Sequence, residues 1–101
     1  MTHYSLTNAA QADLRQLKVY SDERWGVRHT REYLMALRTS LQTLAENPGI
    51  GKHRPEVSAS SYSFPFRSHV IYYLSADTGI AIFAMLHKRM VPEKHLRSEV
   101  C

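Results

Sequence analysis

Apolar and polar positions change period once along this chain, near its middle, and the change separates a helical half from a strand half. In His3-Tyr4-Ser5-Leu6 the apolar residues stand two apart, the spacing of a strand with one buried face. Thr7 and Asn8 follow, with side-chain oxygens suited to accept from the free N–H groups of a helix start. From Ala9 to about Glu23, Ala10, Leu14 and Leu17 fall on one stripe, while Gln11, Arg15, Lys18 and Asp22 lie mostly elsewhere. Trp25-Gly26 punctuates the pattern, the glycine serving as a cap or turn. A second helix is predicted from about Val27 to Glu46, where Thr30, Leu34, Leu37, Leu41 and Leu44 step by four and three. The short connection makes the two helices an antiparallel hairpin. Asn47-Pro48-Gly49 ends the second, because proline cannot continue it.

Gly51 to Ser61 is polar and irregular, and after it the period turns strand-like. Tyr62, Phe64 and Phe66 share one face of a strand that Pro65 confines to an edge or a break. That aromatic face is expected to pack on the helices rather than to stack bases. Arg67 to Leu74 alternates, with Val70, Tyr72 and Leu74 on one side and His69, Ile71 and Tyr73 on the other. Asp77-Thr78-Gly79 is turn chemistry, and Ile80 to His87 is apolar on both faces, as a central strand should be. Pro92 to Val100 is charged and predicts a short C-terminal helix started by its proline. The element order is strand, helix, helix, strand, strand, strand. This is the α+β class: a helical hairpin packed on a mainly antiparallel sheet, in one domain spanning residues 1–101.

Composition adds a partner class. The formal net charge is +4, which favours acidic partners without choosing among nucleic acid, protein and lipid. Residues 51–101 carry Lys52, Arg54, Arg67, Lys88, Arg89, Lys94 and Arg97 against Glu56, Asp77, Glu93 and Glu99. His87, Lys88, Arg89 and Met90 leave the last strand together, and Lys94 and Arg97 share a face of the expected tail helix. These six residues form the candidate target-binding surface, with Lys52 and Arg54 on a separate loop that would lie nearby. Trp25, at the hairpin turn, is either an aromatic anchor for a partner or a plug at the end of the core.

Cofactor chemistry finds no support. None of the six histidines makes an i,i+4 helical pair with another, and Cys101 is isolated, so the usual zinc spacings are absent. Asp13 and Glu32 read as solvated helix positions. No metal and no cofactor is expected. The lone terminal cysteine, the lack of a signal-like start and the lack of a long apolar run fit a cytoplasmic protein with no membrane partner.

Several stretches resemble ParE-type toxins of the RelE/ParE toxin–antitoxin superfamily: Tyr4-Ser5-Leu6-Thr7 with Ala9, Ala12, Asp13 and Leu14; Tyr20 with Trp25-Gly26; Leu44 through Gly51; His69-Val70-Ile71-Tyr72-Tyr73; and Leu86 through Met90. No single stretch is very specific, but together they cover nearly the whole chain in order. The resemblance implies the RelE/ParE-like fold and a toxin of a type II system, held inactive by a cognate ParD-type antitoxin. It further implies inhibition of DNA gyrase and a block to replication. The alternative is the activity of the RelE branch, ribosome-dependent cleavage of messenger RNA, which needs groups to activate a ribose hydroxyl, stabilise a phosphorane and protonate the leaving oxygen. Arg54, Arg67, His87, Lys88 and Arg89 are the nearest candidates here. Relatives that cut RNA place a His or a His-Tyr pair after the last strand; here Lys88 follows His87 and cannot supply a phenol's stacking. A protein-binding inhibitor, not an enzyme, is therefore expected.

Overall fold

The computed structural model of the chain describes residues 3–76 and 79–87. Strand β1 (His3–Leu6) leads into helix α1 (Asn8–Trp25) and helix α2 (Val27–Glu46). A single 3-10 turn (Pro48–Ile50) and the two-residue strand β2 (Lys52–His53) precede β3 (Ser61–Phe66), β4 (His69–Ala76) and β5 (Gly79–His87). The strand order across the sheet is β1-β5-β4-β3-β2. All neighbours are antiparallel except β1, which runs parallel to β5.

Thr7 fastens the first strand to the first helix. Its N–H donates to the Ile82 carbonyl at 2.9 Å, closing the ladder with β5, and its hydroxyl accepts from the Ala10 N–H at 3.2 Å, capping α1. Gly26 alone joins the helices. Its backbone, at φ 95° and ψ 161°, lies where side-chain-bearing residues are strained, and its N–H closes on the Asp22 carbonyl at 3.0 Å. Beside it the Thr30 hydroxyl donates to Ser21 Oγ at 2.7 Å, a polar stitch between two buried positions.

The hairpin covers one face of the sheet. Leu17 of α1 and Tyr33, Leu37, Leu41 and Leu44 of α2 meet Phe66, Ile71, Tyr73, Ile80, Ile82 and Met85 in one apolar core. Leu34 is half-buried at its margin, and Tyr33 takes the more central place. Tyr62 and Phe64 pack against the same core, as their shared strand face predicts. On the opposite face Tyr72, Phe83, Ala84 and Leu86 form a second cluster, joined by Val57 from the loop before β3.

A bulge links the two faces. Tyr72 pairs with Ala84 but Tyr73 pairs with Ile82, which leaves Phe83 as the extra residue on β5. Before the bulge Ile80 and Ile82 face the helices; after it Met85 does. The Met85 N–H donates to the Asp13 carboxylate at 3.1 Å. Asp13 is therefore a strut from α1 to the bulge, not the solvated charge expected from its helical spacing. Pro65 lies past the end of β2, which pairs only with Tyr62 and Ser63, so the proline faces no missing outer partner.

Two further readings change. Arg67 does not begin β4: with Ser68 it forms the two-residue turn between Phe66 and His69, and its φ is 55°. The loop after the helices contains a strand, β2, too short for any sequence period to reveal. The expected turn at Asp77 and Thr78 and the C-terminal helix from Pro92 lie outside the described residues. Gly79 opens β5 at φ 150°, and a Cβ there would strike the His3 carbonyl, so parallel pairing with β1 needs this glycine.

Candidate functional site

The β3–β4 turn and the end of β5 bring four polar side chains together. His69 and His87 are register partners on β4 and β5, their ring centroids 5.6 Å apart and nearly perpendicular. The Tyr33 hydroxyl, from α2, lies 3.1 Å from His69 Nδ1. Tyr33 also meets the Phe66 ring edge-on at 5.2 Å. The Arg67 guanidinium lies over both rings, 5.2 Å from Tyr33 and 5.3 Å from Phe66. Cation–π attraction thus holds the arginine in a turn conformation its own backbone disfavours.

The titration of this cluster follows from burial. Burial pushes the His69 pKa below the ordinary 6.5, and the neighbouring His87 adds to the effect. Burial raises the Tyr33 phenol above 10.0, against the opposing pull of the Arg67 charge. The set is therefore a neutral imidazole hydrogen-bonded to a neutral phenol, with a cation stacked beside them. A groove of about 360 Å³ runs past the two histidines, with Asp13, Gln16 and Tyr20 on its other walls.

The second candidate surface is the hairpin tip. Trp25 is 54% exposed and Tyr20 52%, so Trp25 is no plug for the core. Its ring meets Tyr20 edge-on at 5.8 Å and His29 at 5.3 Å. The Arg24 guanidinium lies 5.4 Å from the Trp25 ring and 5.9 Å from that of Tyr20. Val19 and Val27, on the two helices of the hairpin, are exposed as well. The helix ending fixes this geometry: Trp25 is the last helical residue before Gly26, and the chain reverses at once.

Of the residues expected to meet a target, His87 is in place at the end of β5; Lys88, Arg89, Met90, Lys94 and Arg97 lie outside the described residues. Lys52 and Arg54 do not join His87. They belong to β2 and its following loop, with β4 and β3 lying between β2 and β5. Arg54 is engaged locally, donating from Nε to Ser63 Oγ at 2.7 Å and standing 3.5 Å from the Glu56 carboxylate. Tyr33 and His69 are the members that sequence reasoning missed. Tyr33 carried a signal, since Thr30, Tyr33, Leu37, Leu41 and Leu44 keep steps of three and four. Among the described residues no group of three or more His, Cys, Asp or Glu is placed to hold a metal ion. No helix among them is long and apolar enough to cross a membrane.

Comparison with known proteins agrees with this architecture. The family described as "ParE toxin of type II toxin-antitoxin system, parDE" matches residues 4–92. The chain is 32% identical over 96 residues to Toxin ParE1 of Caulobacter vibrioides, covering 95% of this chain and 99% of that one. It is 31% identical to Toxin ParE1 of Mycobacterium tuberculosis, covering 94% and 98%. In solved structures it is similar to a chain described as the chromosomal ParDE TA system from P. aeruginosa, with a TM-score of 0.72 over 86% of this chain and 96% of that one. At 15% identity that likeness speaks for the fold, a helical hairpin on a mixed sheet. The chain belongs to the ParE toxin family of type II toxin–antitoxin systems.

Proposed function

We propose that this toxin acts by binding rather than by cutting: a ParD-type antitoxin holds it inactive, and once released it inhibits DNA gyrase and blocks replication. The observation that carries the reading is the family match along residues 4–92, which spans both helices and all of the sheet but its first residue. The sheet end favours binding over RNA cleavage. The Arg67 guanidinium lies against two rings and His87 packs edge-on to His69; in the sequence a lysine, Lys88, and not a phenol follows His87. The target-facing surface proposed here is His87 with Lys88, Arg89, Met90, Lys94 and Arg97. Its positive charge suits an acidic enzyme surface or enzyme-held DNA, and salt should weaken the encounter.

Trp25 is the proposed antitoxin anchor. An exposed tryptophan braced by Tyr20, His29 and Arg24 offers a large apolar area with little motion left to lose. The supporting experiment sets a gyrase supercoiling assay beside a translation-coupled RNA cleavage assay, using toxin separated from its antitoxin. Loss of supercoiling with intact messenger RNA is the expected result. Cleaved RNA that becomes intact on His87→Ala, with supercoiling unaffected throughout, would replace this reading with the nuclease one.

A further inference from the structure

His69 and His87 form the end pair of the β4–β5 ladder, so both side chains leave the same face of the sheet. His69 also pairs with Phe66 of β3 across the two-residue turn, so its backbone is held from both sides. Both rings wall the groove of about 360 Å³, which Asp13 and Gln16 of α1 also line. Spacing along the chain does not reveal such a pair, because the two histidines belong to different strands.

The chemistry of the pair suits a metal ion. Two imidazoles on one tetrahedral ion, each nitrogen about 2.0–2.1 Å from it, have ring centres roughly 5 Å apart. The centres of His69 and His87 are 5.6 Å apart, so a small side-chain rotation brings both rings onto one ion. His69 Nδ1 lies 3.1 Å from the Tyr33 hydroxyl. A ring N–H given to that oxygen leaves the Nε2 lone pair for a ligand, and metal-bound histidines characteristically give their other nitrogen to such a partner. Burial favours the neutral form of His69, the form that ligates. The charged side chain on the groove wall is an acid, Asp13, whose Oδ2 accepts from the Met85 N–H. The Arg67 guanidinium lies over the Tyr33 and Phe66 rings and does not wall the groove. Asp13 makes no three-residue cage with the histidines, so water in the groove fills the ion's other positions.

We infer that His69 and His87 form a two-histidine site for a divalent transition-metal ion of the Zn²⁺ class, bound through His69 Nε2 and a ring nitrogen of His87. Tyr33 is the positioning residue, fixing the tautomer and the orientation of His69 through its hydroxyl. Imidazole nitrogen selects Zn²⁺, Cu²⁺ or Ni²⁺, whereas Mg²⁺ and Ca²⁺ take oxygen ligands. The site stands on the geometry of the sheet end and does not depend on which macromolecule the toxin inhibits.

Calorimetric titration of the tag-free full-length protein with Zn²⁺ alone, near neutral pH, tests this beside the NMR resonances of the histidine ring nitrogens. One ion per chain should bind, and Mg²⁺ should not. His69→Gln and His87→Gln should each weaken Zn²⁺ binding at least about tenfold, and Tyr33→Phe, which keeps the ring and loses the hydroxyl, about tenfold. In the parent, Zn²⁺ should move the His69 Nε2 resonance and one from His87, and leave the rings of His29 on α2 and His53 on β2 in place. Binding at parental strength in either histidine variant, or resonance changes confined to other histidines, would assign the ion to an adventitious surface site and overturn the proposal. Absence of Zn²⁺ binding overturns it outright, and parental affinity in Tyr33→Phe overturns the positioning role. If His69→Gln fails to fold, His87→Gln and the parent's ring resonances still decide between these outcomes.

Discussion

The protein builds the same device twice, an arginine laid over two aromatic rings, and leaves the rings of only one copy open to solvent. At the hairpin tip Arg24 lies over Tyr20 and Trp25, both more than half exposed. At the β3–β4 turn Arg67 lies over Tyr33 and Phe66, only 8% and 9% exposed. The buried copy is continuous with the core through Tyr33 and holds a strained turn. The exposed copy holds nothing that the core needs, so its apolar area is available to a partner. Burial, rather than residue type, separates the copy that the core uses from the copy left exposed.

The largest effect that would break this contrast is the truncation of one ring from each copy. Tyr33→Ala should cost about 3–5 kcal/mol of stability, because it removes a buried ring and leaves a cavity above Phe66. Trp25→Ala should cost about 1 kcal/mol or less of stability. The same Trp25→Ala change should remove roughly 2 kcal/mol or more of antitoxin affinity. Urea denaturation and calorimetric binding measure the two quantities. Equal stability losses would end the distinction, and unchanged affinity would move the anchor away from Trp25.

The hairpin tip has one position with a folding role of its own, Gly26. A Cβ there meets open space, yet its φ of 95° with ψ 161° belongs to a region nearly reserved for glycine. Gly26→Ala is expected to cost about 1–3 kcal/mol through backbone strain alone. A loss well below that range in urea denaturation would mean that the helices can rejoin by another path.

Acid separates the two copies more gently. The His69 pKa is lowered in the folded state, so as pH falls through 6.5 the unfolded chain takes up a proton first. Stability from this group is full above 6.5 and is lost as pH falls toward the depressed folded value. The proton would enter beside His87, whose ring centroid lies 5.6 Å away. Urea midpoints at pH 7.5 and 5.5 should differ more in the parent chain than in His69→Gln. An unaltered difference would remove His69 from the acid response.

Much of the fold was legible in residue spacing, because each long element carries its own period. The leucine steps of α2 and the alternation of β4 are local patterns that tertiary packing merely uses. Long-range register was not legible. Nothing in Arg67-Ser68 announces a two-residue turn, since such turns favour glycine or asparagine where φ is positive. The bulge at Phe83 was equally silent, and it decides which residues after it face the helices. Without it, even-numbered positions of β5 would continue to face the helices and His87 would leave the side it shares with His69. Trp25 was nameable from sequence as a candidate, but its choice between plug and anchor needed the exposure of its ring. Asp13 looked solvated because its partner, the Met85 N–H, is 72 positions away along the chain.

The smallest expected effect is the most specific to the paired arginines. Arg67 combines two opposing contributions: a left-handed backbone that costs about 1–2 kcal/mol in a residue with a Cβ, and a ring stack that returns about 0.5–2 kcal/mol. Arg67→Gly removes both, so its net change should stay within about 1 kcal/mol. Arg67→Ala loses the stack and keeps the strain, so it should be less stable than Arg67→Gly by about 1 kcal/mol. Arg24→Ala has no strained backbone to relieve and only an exposed stack to lose, so its cost should be at most about 0.5–1 kcal/mol. The order expected from urea denaturation is therefore Arg67→Ala below Arg67→Gly, with Arg24→Ala near the parent. If Arg67→Ala and Arg67→Gly were equally stable, the positive φ at the turn would carry no strain, and the stack would have no backbone cost to offset.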